Sequence, residues 1–196
     1  MFLRDWKKEI FTIPNLLSLF RLILIPVYIG IYLNAQTTSD YFLAAAILAV
    51  SCLTDMIDGK IARRFNMISN LGKILDPLAD KATQFALIIC LASKHNILWY
   101  LVGLFVIKES FQLIAGGMNL RNGKMLKGAL ITGKICTTVL FISLIIMVLI
   151  PDLTGSVITA ITIVDLIFMI IAFADYIMAY YKNDSQFQSI NESNDI

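Results

Sequence analysis

Histidine is nearly absent from this chain: His95 is the only one, and it stands in a short connection between two apolar stretches. An imidazole base or a histidine-rich metal site is therefore excluded wherever the other polar groups gather. Cysteine is almost as scarce. Cys52, Cys90 and Cys136 are odd in number and each lies in an apolar run, a pattern that fits neither a disulfide framework nor a zinc site. Charge is thin as well. Asp, Glu, Lys and Arg make up 15% of the residues, against roughly a quarter in an ordinary globular domain. The net charge is only +2, so no nucleic-acid partner is expected. No internal repeat or low-complexity segment stands out.

What remains is apolar. Hydrophobic residues make up 58% of the 196 and the mean hydropathy is +0.78, which places the chain in the membrane class. A spanning helix needs about 20 mostly apolar residues. Six stretches qualify, at residues 14–34, 41–61, 74–93, 97–118, 129–150 and 155–181. Backbone polar groups in lipid must be satisfied within their own segment, so the fold class is all-α: an integral membrane bundle of six transmembrane helices. Connections are short, leaving one domain over residues 1–182 and a polar tail over 183–196 that is expected to be disordered.

Basic residues orient the bundle. Arg4, Lys7, Lys8, Lys60, Arg63, Arg64, Lys73, Arg121, Lys124, Lys127 and Lys182 fall on one side, and Lys94 alone on the other. Both termini are therefore expected in the cytoplasm, in a multi-pass plasma-membrane protein. Residues 2–11 place Phe2, Leu3, Trp6 and Ile10 at helical spacing opposite Arg4, Lys7 and Lys8, which predicts an interfacial amphipathic helix. Arg21, Lys81, Lys108 and Lys134 lie inside apolar spans or at their ends. Embedded cations there are either functional or snorkel to the interface.

Against this background, Asp55, Asp58, Asp76 and Asp80 crowd into 26 residues, with the spacing D-x2-D-G-x2-A-R-x8-G-x3-D-x3-D. One Asp at the centre of a membrane helix costs about 2.5–3.5 kcal/mol, so four require compensation. Asp55 and Asp58 are three residues apart, and Asp76 and Asp80 four, so each pair shares a helix face. The loop between them reverses the chain and lets the pairs converge across two helices. Donors that are all oxygen select a hard cation, Mg²⁺ or Mn²⁺, and two such ions would clamp a pyrophosphate. Gly59 and Gly72 permit close approach, Ala62 clears the Asp face, Arg63 offers a planar fork for phosphate, and Ser69 a loop hydroxyl.

At these residues the sequence resembles the CDP-alcohol phosphatidyltransferase family, and it matches the motif at every defined position. The resemblance implies cleavage of a CDP-linked lipid such as CDP-diacylglycerol by an alcohol acceptor, with release of CMP. It implies two Mg²⁺ or Mn²⁺ ions held by Asp55, Asp58, Asp76 and Asp80, with Asp80 also the catalytic base for the acceptor hydroxyl. Asp55, Asp58, Gly59, Ala62, Arg63, Ser69 and Gly72 would form the CDP site. Members of the family are typically homodimers in membrane lipid.

The run Ile13-Pro14-Asn15-Leu16-Leu17-Ser18-Leu19-Phe20-Arg21, with Pro26 after it, is similar to the start of phosphatidylglycerophosphate synthases and cardiolipin synthases. So is Asp76-Pro77-Leu78-Ala79-Asp80-Lys81. Lys108-Glu109 stands where the former enzymes carry Arg-Glu, and Gly133-Lys134-Ile135-Cys136-Thr137 keeps only the first Lys of a G-K-x-K-T pattern. Arg21, Lys108, Lys134 and Arg121, with Lys124, are the candidate ligands of an acceptor phosphate. The resemblance points first to glycerol 3-phosphate as acceptor, then to phosphatidylglycerol. A different class, a divalent-cation transporter, would use the same acids as its transport site. Asp165 and Asp175 lie outside the motif, within range of pairing with Lys108 or Lys134.

Overall fold

The computed structural model describes residues 13–64, 72–121, 124–126, 130–182 and 187–189. Among the described residues there are six helices: α1 (Ile13–Asn34), α2 (Thr38–Arg64), α3 (Gly72–Ala92), α4 (Leu98–Arg121), α5 (Ile131–Leu149) and α6 (Gly155–Lys182). Two short strands, β1 (Lys124–Leu126) and β2 (Phe187–Ser189), pair antiparallel. The predicted interfacial helix over residues 2–11 lies outside the described residues.

The all-α reading holds, and one expectation is corrected. Only four described helical stretches are long and apolar enough to cross a membrane: Asn15–Asn34, Leu98–Asn119, Ile131–Leu149 and Gly155–Tyr181. The expected spans at residues 41–61 and 74–93 are not among them: the described apolar stretch of α2, Thr38–Thr54, is too short, and α3 carries Asp76, Asp80 and Lys81. With 27 residues, α2 would rise about 40 Å at 1.5 Å per residue. Its apolar part is Thr38–Thr54, and the turns beyond carry Asp55, Asp58, Lys60, Arg63 and Arg64. The following helix, α3, opens on Gly72-Lys73 and then sets Asp76, Asp80 and Lys81 in its first half. Both helices give their ends to the acidic motif. Within the tail, Phe187–Ser189 pairs with Leu126–Lys124.

The chain divides into two compact units, the first built on α1–α3 and the second on α4–α6 with the strand pair. In the first, α1 packs along both α2 and α3. Its core is a zone of small and medium side chains, Ala44, Ala45, Leu48, Ala79, Ala86, Leu87, Ile88 and Leu91, closed by Tyr28 and Tyr32. Small residues let backbones approach where water supplies no driving force between helices. Asn34 ends α1 by donating its side-chain amide to the Gly30 carbonyl at 2.7 Å. Thr37 and Asp40 then start α2 as a capping box. The Asp40 carboxylate accepts from the Thr37 N–H at 2.9 Å and the Gln36 N–H at 3.0 Å, and the Thr37 hydroxyl accepts from the Asp40 N–H at 3.4 Å. These donors, the Thr37 and Gln36 backbones first, hold the Asp40 carboxyl below the usual carboxylate range.

In the second unit, α4 and α6 meet through aromatic rings. Phe111 stands edge-on to Phe173 and to Tyr180, with centroids 5.4 and 5.9 Å apart, and Tyr180 stacks on Tyr176 at 6.3 Å. Outward faces are greasy throughout: Ile23, Leu113, Ile114, Ile131 and Ile170 are all exposed. A bilayer is the solvent such surfaces require, which makes this a multi-pass membrane protein. Trp99 and Tyr100 at the start of α4 and Tyr181 at the end of α6 are exposed as well, in the positions where aromatic residues settle at headgroup level.

Gly133, in the first turn of α5, touches the Tyr176 ring so closely that a Cβ there would sit 2.6 Å from its hydroxyl oxygen. The ring is buried, so it has little room to step aside. Gly133→Ala is expected to lower stability by about 1–3 kcal/mol, the usual cost of overpacking. Thermal unfolding in detergent would register the loss, and pairing the change with Tyr176→Leu should recover most of it.

Candidate active site

Asp76 and Asp80 lie one turn apart on α3, so their carboxylates leave the helix on the same face. Pro77 sits between them, beyond the first turn rather than in it. Lacking an N–H, it leaves a carbonyl one turn back without a helical donor. Both acids are open to the outside, with side chains 46% and 51% exposed.

Their partners come from α1. Arg21, only 2% exposed, donates from Nη1 to Asp80 Oδ1 at 2.8 Å, and its Nη2 lies 4.0 Å from Asp76 Oδ1. Ser18, fully buried, donates its hydroxyl to the same Asp76 oxygen at 2.5 Å. Asn15 is buried one turn earlier on that side. Asn15, Ser18 and Arg21 thus form a polar stripe at three-residue steps along an otherwise apolar helix. One guanidinium between two carboxylates leaves the group one formal charge negative. The buried cation is compensated, as a charge at membrane depth has to be.

Sequence reasoning placed Arg21 with the acceptor ligands; in the fold it faces the acids. It overlooked Ser18 and Asn15 as site residues altogether. The signal was there, in polar groups spaced three apart through a greasy helix.

Asp55, Asp58, Gly59, Ala62 and Arg63 belong to the last turns of α2. Their side chains, and Ser69, lie outside the described residues, while Gly72 opens α3 and is buried. Among the described residues no three His, Cys, Asp or Glu groups gather into a metal cluster; the described part of the site is the Asp76–Asp80 pair. That pair fits a hard cation. Its donors are carboxylate oxygens, each acid offers about four lone-pair sites, and both side chains are about half exposed.

The other expected acceptor ligands belong to the second unit. Lys108, 4% exposed on α4, gives its ammonium to Glu109 at 2.7 Å and Gln112 at 3.1 Å, and lies 5.9 Å from the centre of the Tyr176 ring. Its ion-pair partner is therefore the neighbouring Glu109 rather than Asp165 or Asp175. Lys134 in the first turn of α5 and Arg121 at the end of α4 are exposed. Asp165 is 1% exposed, with Ser143 of α5 as its polar neighbour.

Residues 11–177 match the model described as CDP-alcohol phosphatidyltransferase. A Drosophila melanogaster protein described as a probable cardiolipin synthase (CMP-forming) is 39% identical over 115 residues, 58% of this chain and 34% of the relative. The cardiolipin synthase (CMP-forming) of Streptomyces coelicolor is 34% identical over 118 residues, 59% of this chain and 54% of that one. The CDP-diacylglycerol–glycerol-3-phosphate 3-phosphatidyltransferase of Escherichia coli K12 is 42% identical over 90 residues, 46% of this chain and 48% of that enzyme. The chain spans about half, or less, of the length of these curated relatives.

Proposed function

The chain belongs to the CDP-alcohol phosphatidyltransferase family, and from that premise we propose that it transfers a phosphatidyl group from CDP-diacylglycerol to glycerol 3-phosphate, releasing CMP. The observation that carries the reading is the Asp76–Asp80 pair, half-exposed on one helix face and braced from behind by Ser18 and Arg21. A carboxylate that is fixed yet reachable is what a general base needs.

In this reading Asp80 takes the proton of the acceptor hydroxyl as that oxygen attacks the lipid-bearing phosphorus. A new O–P bond forms, the phosphoanhydride bond breaks, and its electron pair leaves with CMP. Asp55, Asp58, Asp76 and Asp80 would hold divalent cations, Mg²⁺ or Mn²⁺, which supply charge neutralisation to the pyrophosphate and the leaving phosphate. Gly59, Ala62, Arg63, Ser69 and Gly72 would border the CDP moiety. An acceptor's phosphate calls for cations such as Lys134 and Arg121, both exposed. Within the second unit, Lys108 bonds Glu109 and Gln112 of its own helix and faces the Tyr176 ring of α6. With the termini in the cytoplasm, CDP and a water-soluble acceptor approach from that side while acyl chains stay in lipid. The working form would be a homodimer.

A second acceptor has support of its own. The relatives described as cardiolipin synthases align over more of this chain, 115 and 118 residues, than the 90 residues aligned with the glycerol-3-phosphate enzyme. Phosphatidylglycerol would then replace glycerol 3-phosphate in the same chemistry. Purified protein supplied with labelled CDP-diacylglycerol, Mg²⁺ and each acceptor in turn separates the two. Labelled phosphatidylglycerophosphate is the expected product. Cardiolipin alone would assign the second acceptor, and divalent-metal flux into liposomes with no CMP from any acceptor would replace the enzyme by a transporter.

A further inference from the structure

Two of the observations above belong together: a buried polar stripe on α1, and the paired acids of α3 that receive it. Lone polar groups are costly in a membrane helix, yet Asn15, Ser18 and Arg21 are 1%, 0% and 2% exposed. Two of these residues direct donors at the acids. The Ser18 hydroxyl goes to one acid and the Arg21 fork to the other, while the acids keep their outer surface open. Were Arg21 only neutralising charge, any cation at that depth would serve and Ser18 would be dispensable. The directed bonds argue otherwise. Groups that hydrogen-bond to metal-ligating carboxylates orient them and tune the site.

We propose that Ser18 and Arg21 are positioning residues: α1 sets the orientation of the Asp76 and Asp80 carboxylates before any cation or substrate arrives. Ser18 fixes Asp76 through a single short bond. Arg21 spans both acids with a planar fork, which Lys, a point charge on a flexible stem, does not reproduce. Asn15 continues the stripe and keeps this side of α1 turned toward the first unit's interior. The proposal rests on the reading of these acids as ligands of a divalent cation.

The test uses full-length protein in lipid nanodiscs, with Mn²⁺ as probe. Mn²⁺ affinity is read by electron paramagnetic resonance, independently of turnover, and kcat and KM for CDP-diacylglycerol are measured alongside. Ser18→Ala is expected to weaken Mn²⁺ binding by about 10-fold or more, the usual effect of removing an outer partner of a ligand, and Ser18→Thr to restore most of it. Arg21→Lys is expected to lower kcat by about 10-fold, with KM and melting temperature close to wild type. Wild-type Mn²⁺ affinity in Ser18→Ala together with an unchanged kcat in Arg21→Lys would overturn the proposal. So would losses that only follow a falling melting temperature in both variants. A wild-type protein that binds Mn²⁺ but forms no CMP with any acceptor contradicts the proposed function instead, and the Ser18 comparison still decides this inference.

Discussion

Replacing Asp80 by Asn is expected to reduce CMP release by about 10²–10⁴-fold, the range that a positioned general base contributes. The amide keeps the size of the side chain, and its carbonyl can still accept from Arg21 Nη1, now 2.8 Å from Asp80 Oδ1. What it loses is the ability to take a proton. Mn²⁺ binding should fall far less than turnover, because Asp55, Asp58 and Asp76 remain. Assaying both on one preparation separates the two roles given to Asp80. Retention of more than a tenth of wild-type turnover would remove Asp80 as the base.

Replacing Lys108 by Met is expected to give the largest loss of stability, about 3 kcal/mol, because it removes the cation that pairs with Glu109 in a part-buried place. The pair is enclosed on both sides: the Lys108 side chain is 5% exposed and that of Glu109 18%. The same reasoning predicts rescue. A buried ion pair exchanged for apolar groups of similar volume is often neutral or better, so Lys108→Met with Glu109→Leu should melt close to wild type. Thermal unfolding in detergent compares the three proteins. A single variant as stable as wild type would show that the pair does not hold α4 in place. A double variant that is stable yet poor in KM for glycerol 3-phosphate would return Lys108 to the acceptor site.

Helices were legible in this sequence because lipid leaves the backbone few choices, and hydrophobic runs mark where those choices end. Their apolar lengths were harder to read. In α2 and α3 the motif charges interrupt hydropathy while helical hydrogen bonding continues, so helix-sized stretches came to six where four of the described helices are long and apolar enough to cross a membrane. The acids of the site were plain from spacing alone, since two carboxylates four residues apart must share a helix face. Their bracing was not. Ser18 and Asn15 look like ordinary tolerated polar residues until α1 is set against α3, and that contact joins positions 58 residues apart. The Gly133–Tyr176 contact was hidden for the same reason: a glycine records that something comes close, not what. The Lys108–Glu109 bond was not legible either, because a residue's own neighbour is a partner that helical periodicity does not favour.

The Arg21–Asp80 bond spans 59 positions of the chain, and this has a consequence for synthesis. At about 5–20 residues per second, Arg21 is made roughly 3–12 s before Asp80 exists to receive it. Through that interval α1 carries its guanidinium without the Asp80 carboxylate, and reaching up to the headgroups is a route open to it. Only when α3 enters can α1 settle to its final depth. α1 therefore takes its final setting only after α3 has been made.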